Sequence, residues 1–288
     1  SLDRKVVPVR FRLRAPSISQ VMLYLRLWSG AAACYTIHVM KLFNFLVCGL
    51  ITAILSLPTT GVAADRPGFK VAMELFRNGK LAGETTFTFT SGDSSWIMRS
   101  ETRGTKGIAR LLGVEENSFS RGDWHDGLPR PLAFERNVKA VIRYRWAAEF
   151  DWERSSVHSV HPDGETTLAI EPGVIDESTL GMVIRMGLEL GEDEWFLQVL
   201  DEDEIEQEHF KARSAERIQT VLGCVNTHVV EKIRRAGSTR YTRTYYARDH
   251  HFVPVMIEHG KTDGDHLESR LKSLEIDGKK IARGPGCG

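Results

Sequence analysis

From Phe69 onward the chain alternates apolar and polar residues with a period of two, broken at intervals by short Gly, Asn and Asp clusters. That period marks strands with one face in a core and the other in water. Phe69, Val71, Met73 and Leu75 alternate with more polar neighbours, and Asn78-Gly79 follows. This dipeptide is a strong hairpin signal, because both residues tolerate positive φ. The return strand carries Phe87 and Phe89 on one face, and Ser91–Ser94 turns the chain into a strand holding Trp96 and Met98. The clearest alternation runs over Ile142–Trp152. Ile142, Tyr144, Trp146, Ala148, Phe150 and Trp152 face one way, and Arg143, Arg145, Glu149 and Asp151 the other. At about 25 cal/mol per Å², burying such aromatics stabilises a fold by several kcal/mol, which predicts a central position for this strand.

One helix interrupts the pattern. Asp176 is a good N-cap, and Leu180, Val183, Ile184, Gly187 and Leu188 form an apolar stripe at helical spacing. Glu177 sits in the first turn, where the helix dipole favours an acid, and Gly191 closes the helix. A shorter helical turn is expected over Lys106–Leu112, closed by Gly113. Alternating segments then continue to Ile276, with Pro254 suiting an edge or the start of a strand. The expected fold is mainly β: a curved antiparallel up-and-down sheet or half-barrel of about ten to twelve strands, with one main amphipathic helix packed on it.

The segment ahead of this region has another character. Met40–Ala64 reads as a secretory signal peptide: Lys41, an apolar run from Leu42 to Leu57, the helix breaker Pro58, and small residues ending in Val62-Ala63-Ala64. Sixteen residues rise only about 24 Å as a helix, short of the roughly 30 Å hydrocarbon core, so cleavage between Ala64 and Asp65 is expected rather than a retained span. Residues 1–39 are expected not to be translated. Val9-Arg10-Phe11-Arg12 can be encoded by a transfer RNA T-loop sequence, which points to a reading frame extended backwards from Met40.

The mature chain is then a single β-rich periplasmic domain over 65–288, its Gly/Pro tail disordered from about residue 279. Residues 1–64 hold seven Lys/Arg and one acid, so 31 basic and 37 acidic residues remain, a formal charge of −6. An acidic domain has no electrostatic footprint for nucleic acid. Of four cysteines, Cys224 and Cys287 survive processing. In an oxidising compartment they could pair or remain two independent thiols.

Several features together carry a family resemblance: Asn78-Gly79 followed by Gly83, Gly127-Leu128-Pro129, and the strand end Phe150-Asp151-Trp152. The helix start at Asp176, the Gly223 step between strands, and Val253-Pro254-Val255 ahead of Ile257-Glu258 complete the set. Over nearly all of 69–276 the chain resembles an uncharacterised family of exported Gram-negative proteins, domain of unknown function 3108. The resemblance implies a periplasmic β-rich fold and brings no known activity. A curved sheet with a helix across it also resembles the half-barrels of periplasmic lipoprotein carriers, by fold analogy alone.

Candidate chemistry is sparse. Asp249-His250-His251 spells a phosphoesterase signature but lies between two strands, where a polar turn accounts for it. His259, Asp263, Asp265 and His266 surround another turn without the tight spacing of a metal site, and His158 and His161 should face opposite sides of a strand. Asp123, His125 and Asp126 could do acid–base work if something oriented them; a solvated hairpin is the plainer reading. Gly-x-Ser-x-Gly, phosphate-loop and Cys-x-x-Cys motifs are absent.

The expectation is therefore a non-enzymatic envelope protein without cofactor, catalytic residues or metal ligands. It binds a lipid or other hydrophobic ligand, or an envelope protein, and keeps no membrane span after processing. Tyr144, Trp146, Trp152, Leu180 and Ile184 are the expected cavity-lining residues. The alternatives are a periplasmic hydrolase using carboxylate–His chemistry at Asp123–Asp126, and a structural or protein-interaction module.

Overall fold

A computed structural model describes residues 66–141 and 143–288. The leader over 40–64, the segment 1–39, the cleavage pair Ala64 and Asp65, and Ile142 lie outside the described residues.

The chain enters at β1 (Phe69–Arg77), which turns at Asn78-Gly79 into β2 (Lys80–Ser91). Positive φ values of 50° and 75° at the two turn residues explain the choice of Asn and Gly there. A meander continues outward through β3 (Ser95–Gly104), the short helix α1 (Gly107–Leu111), β4 (Glu115–His125) and β5 (Leu128–Lys139). It ends with β6 (Arg143–Asp151), β7 (Ser156–His161) and β8 (Gly164–Ala169). After the two-residue β9 (Val174–Ile175), helix α2 (Glu177–Glu189) carries the chain to a second meander. This comprises β10 (Glu194–Asp201), β11 (Glu204–Thr220), β12 (Gly223–Ile233) and β13 (Arg240–Ala247). It finishes with β14 (Val253–Lys261), β15 (His266–Ile276) and β16 (Lys279–Lys280).

The second meander runs back toward the first, and β15 pairs antiparallel with β1, Phe69 opposite Ile276. One open sheet results, ordered β8 to β1 and then β15 down to β9, with β16 paired beside β15. Its neighbours are antiparallel except β9 and β10. The described residues thus hold sixteen strands rather than ten to twelve. One source of the difference is β5, whose Pro129 and Pro131 look like turn chemistry. They fit because one opens the strand and the other faces the β-bulge at Arg121/Gly122. Gly122 has its own reason: a Cβ there would collide with the Arg130 carbonyl and the ring of Trp96, which is 1% exposed.

Helix α2 lies in the concavity of the sheet. The sequence stripe anticipates one buried side, yet Thr179, Met182, Ile184, Arg185, Gly187 and Leu188 are all buried, spread around most of the helix. A curved sheet covers more of a helix than a flat one does. Met182 joins the core under β1 and β13–β15, while Ile184 and Leu188 pack with Trp195, Phe210 and Val230.

The expectation of a central position for the aromatic strand is not met: β6 is third from the β8 edge. Its aromatics are buried because the two ends of the sheet curl together. Phe134, Trp146, Ala148, Phe150 and Val157 pack against Ile170, Val174 and Leu200. Phe134 and Trp146 meet edge to face, their centroids 4.6 Å apart. Side chains, not strand hydrogen bonds, bring the barrel close to closure.

The C-terminal tail is not free. Gly284 N donates to Leu222 O and Cys224 N to Pro285 O, both at 2.7 Å, and Cys224 and Cys287 form a disulfide. The expectation of disorder from about residue 279 came from Gly/Pro composition, which cannot register a covalent anchor.

Candidate functional site

The site is built from the N-terminal half of α2 and the sheet face beneath it. Asp176 caps the helix: its carboxylate accepts hydrogen bonds from Ser178 N (2.8 Å) and Thr179 N (2.9 Å). Its second oxygen accepts from Ser120 Oγ of β4 (2.6 Å) and Thr179 Oγ1 (2.8 Å). One fully buried side chain thereby satisfies two otherwise orphaned helix donors and ties the helix to the sheet. Burial pushes this carboxyl up, and the four donated hydrogen bonds pull it back.

Between the helix and the sheet lies a solvent-accessible cavity of about 350 Å³. Phe87 and Met98 line one wall, Leu180 and Ile184 of the helix another, and Val230 and Ile257 a third. Polar groups gather at the helix N-terminal end. Arg136 pairs with Glu116 at 2.9 Å and Glu177 at 3.2 Å. Ser100, Ser118 and Ser178 form a line of hydroxyls, 2.9 and 3.3 Å apart. Lys232, also lining the cavity, pairs with Glu208, and burial pushes the Tyr246 hydroxyl well up. Arg185, also at the wall, lies over the rings of Phe69 and Phe89, 5.2 and 5.5 Å from their centroids.

Burial pushes the Glu177 carboxyl up to about 7, against the pull of Arg136. The folded state then holds a proton that the unfolded chain releases near 4.5, so stability falls as pH rises from about 4.5 to about 7. Glu177→Gln is expected to flatten that slope, as read by chemical denaturation at pH 5, 6 and 7. An unchanged slope would mean that Glu177 titrates normally.

The five residues proposed from sequence do not share one place. Leu180 and Ile184 line the cavity. Trp146 is 1% exposed in the core at the sheet ends, its Nε1 donating to Ser159 Oγ. Tyr144 donates to Glu202 Oε1, and Trp152 donates to the Pro131 carbonyl beside an external depression. The expectation set the β6 aromatics in one cavity with Leu180 and Ile184 of the helix, whereas they pack against the other end of the sheet. The polar end of the cavity was missed. Ser118 and Ser178 lie 60 residues apart, and no local pattern joins them. Gly181 did leave a trace, as a glycine inside an otherwise good helix.

The other motifs are accounted for by their surroundings. Asp123 is gripped through both carboxylate oxygens by Arg130, at 2.8 and 2.6 Å, which holds its carboxyl below the usual range. His125 and Asp126 project into solvent at a hairpin tip, 3.7 Å apart. Asp249 and His250 belong to a single helical turn before β14, and His251 has a left-handed backbone. Asp265 pairs with Arg77, and the His266 ring meets the Tyr241 hydroxyl at 2.5 Å. Burial, helped by Arg234, holds the His259 imidazole below its usual pKa.

The folded β-protein resembles several solved structures. A β-barrel-like protein of domain of unknown function DUF1849 from Brucella abortus aligns with a TM-score of 0.48 and 10% identity, over 73% of this chain and 98% of that one. A putative lipoprotein from Parabacteroides distasonis aligns at 0.28 and 8% identity, over 73% and 96%. MucB in complex with MucA(peri) aligns at 0.14 and 10%, over 78% and 96%. No curated protein matches the sequence. The model of the family described as "Protein of unknown function (DUF3108)" matches residues 69–272, which include both meanders up to β15 and the whole of α2, and the chain belongs to that family.

Proposed function

We propose that this is an exported periplasmic, non-enzymatic protein that holds a lipid or other hydrophobic molecule between α2 and the sheet. The cavity carries the reading: about 350 Å³, lined mostly by apolar side chains, with Arg136, Glu177 and three serines gathered at the helix N-terminal end. Its size falls in the range of small-molecule sites. Taking a methylene as about the volume of a water molecule, roughly 30 Å³, it holds on the order of a dozen methylenes, or one acyl chain. Each buried methylene contributes about 0.8 kcal/mol. The hydroxyl line of Ser100, Ser118 and Ser178 offers hydrogen bonds to a polar head. The Cys224–Cys287 disulfide supports an oxidising compartment, in keeping with the signal sequence read at Met40–Ala64.

Gly181 supplies the test. It lines the cavity, and an added Cβ would meet nothing within 4 Å. Gly181→Leu fills the space and raises helix propensity by close to 1 kcal/mol. Native mass spectrometry of residues 65–288 from the periplasm, with organic extraction, should show a discrete hydrophobic adduct on the parent. Gly181→Leu should lose that adduct while melting no lower. An adduct that survives in Gly181→Leu, or a clean apo mass for both proteins, would reject the reading.

A further inference from the structure

The two ends of the open sheet meet at a second place, outside the cavity. The β7–β8 turn presents His161 and Asp163, and the β10–β11 turn presents Glu202. One ligand atom from each lies within 4.8 Å of the others, the one such trio of His, Cys, Asp or Glu among the described residues. None of the three lines the cavity.

Two further observations point to a ligand here. Both ring nitrogens of His161 are shut off from solvent, and neither has a hydrogen-bond partner. A neutral imidazole offers a donor and an acceptor, and burying both unsatisfied is costly. The surroundings are also strongly negative: Asp201, Glu202, Asp203, Glu204, Glu206 and Glu208 fall within eight residues of the β10–β11 hairpin. Among the described residues, neither Asp163 nor Glu202 pairs with a lysine or arginine. Glu202 instead accepts from the Tyr144 hydroxyl at 2.6 Å, the kind of outer contact that orients a carboxylate ligand.

We infer that His161, Asp163 and Glu202 bind a divalent transition metal, zinc above all, which clips the β7–β8 turn to the β10–β11 turn. One imidazole nitrogen and two carboxylate oxygens suit zinc, with water completing a tetrahedron. Bonds of about 2.0–2.1 Å set tetrahedral donors roughly 3.3 Å apart, so the trio contracts by at most about 1.5 Å on binding. Asp163, exposed and followed by Gly164, can supply much of that movement. The metal would join sheet ends that share no strand hydrogen bonds. Binding only the folded state, it would also stabilise that state by mass action.

The test uses the full chain, stripped with EDTA and titrated with zinc sulfate, with calcium and magnesium chloride in parallel. One zinc per chain by native mass spectrometry is expected, with a melting midpoint raised by about 5 °C at saturation. His161→Gln and Glu202→Gln should each abolish that shift. His158→Gln, at an exposed position on β7, should keep it. Should either variant fail to fold, Asp163→Asn in the exposed turn replaces it. The assignment is overturned if no zinc is retained, if the shift survives these substitutions, or if calcium and magnesium give the same shift. Because the trio lies outside the cavity, the result is independent of lipid binding.

Discussion

A Cys224→Ser/Cys287→Ser variant is expected to melt about 10 °C below the parent. The two cysteines lie 63 residues apart, joining the start of β12 to the penultimate residue of the chain. Closing a loop of that length removes unfolded-state entropy worth about 4 kcal/mol. For a domain of this size, each kcal/mol moves the midpoint by about 2–4 °C. The native state contributes as well. With the bond broken, the backbone pairs Gly284–Leu222 and Cys224–Pro285 tether a tail free to fray. Gly223 shows how closely that tail approaches: its φ is +96°, and a side chain there would strike the carbonyls of Gly284 and Pro285. Calorimetry of the parent with and without a reductant, beside the double variant, checks the result. A shift below about 2 °C in both comparisons would show that the hydrogen bonds alone secure the tail.

Asp176→Ala is expected to destabilise the protein by about 3 kcal/mol. Part of this is the lost N-cap, ordinarily about 1 kcal/mol. The remainder comes from what alanine leaves behind on the sheet side: a buried Ser120 hydroxyl with no carboxylate to accept its proton, worth about 1–3 kcal/mol when stranded. Asp176→Asn keeps one carbonyl oxygen for the amides of Ser178 and Thr179, and the hydroxyls of Ser120 and Thr179 can rotate to accept from its new NH₂. It should therefore cost about 1 kcal/mol. Urea denaturation of both variants separates the effects. If alanine and asparagine are equally harmful, the charge of Asp176 matters and the hydrogen-bond argument is wrong. The alanine variant should also bind less of any cavity ligand, because Ser178 and Glu177 lose their anchored positions at the cavity wall.

How far the fold was legible varies from element to element. The β1–β2 hairpin could be read residue by residue, because Asn78-Gly79 is a local backbone requirement. The cap at Asp176 is local too, since a short polar side chain reaches amides two and three residues ahead. The β5 strand was not legible: its prolines argue for a turn, and only the bulge opposite Gly122 makes them compatible with a strand. Nor was the site of burial for Trp146. Alternation says that the ring is buried, but not which of two distant elements covers it.

Sequence alone therefore determined what backbone geometry and one-sided burial impose over a few residues: the alternating strands, their main turns, the capped helix and the mainly β class. The tertiary structure decided the pairing of β1 with β15, the curling of the sheet ends around Trp146, the Cys224–Cys287 bond and the trio at His161. It also decided that a cavity remains beside Gly181 rather than a filled interior. The physical reason is range. Local preferences act through the dihedral angles of neighbouring residues, whereas these features depend on how two meanders of one chain fit each other, and no stretch of sequence contains both sides of that fit.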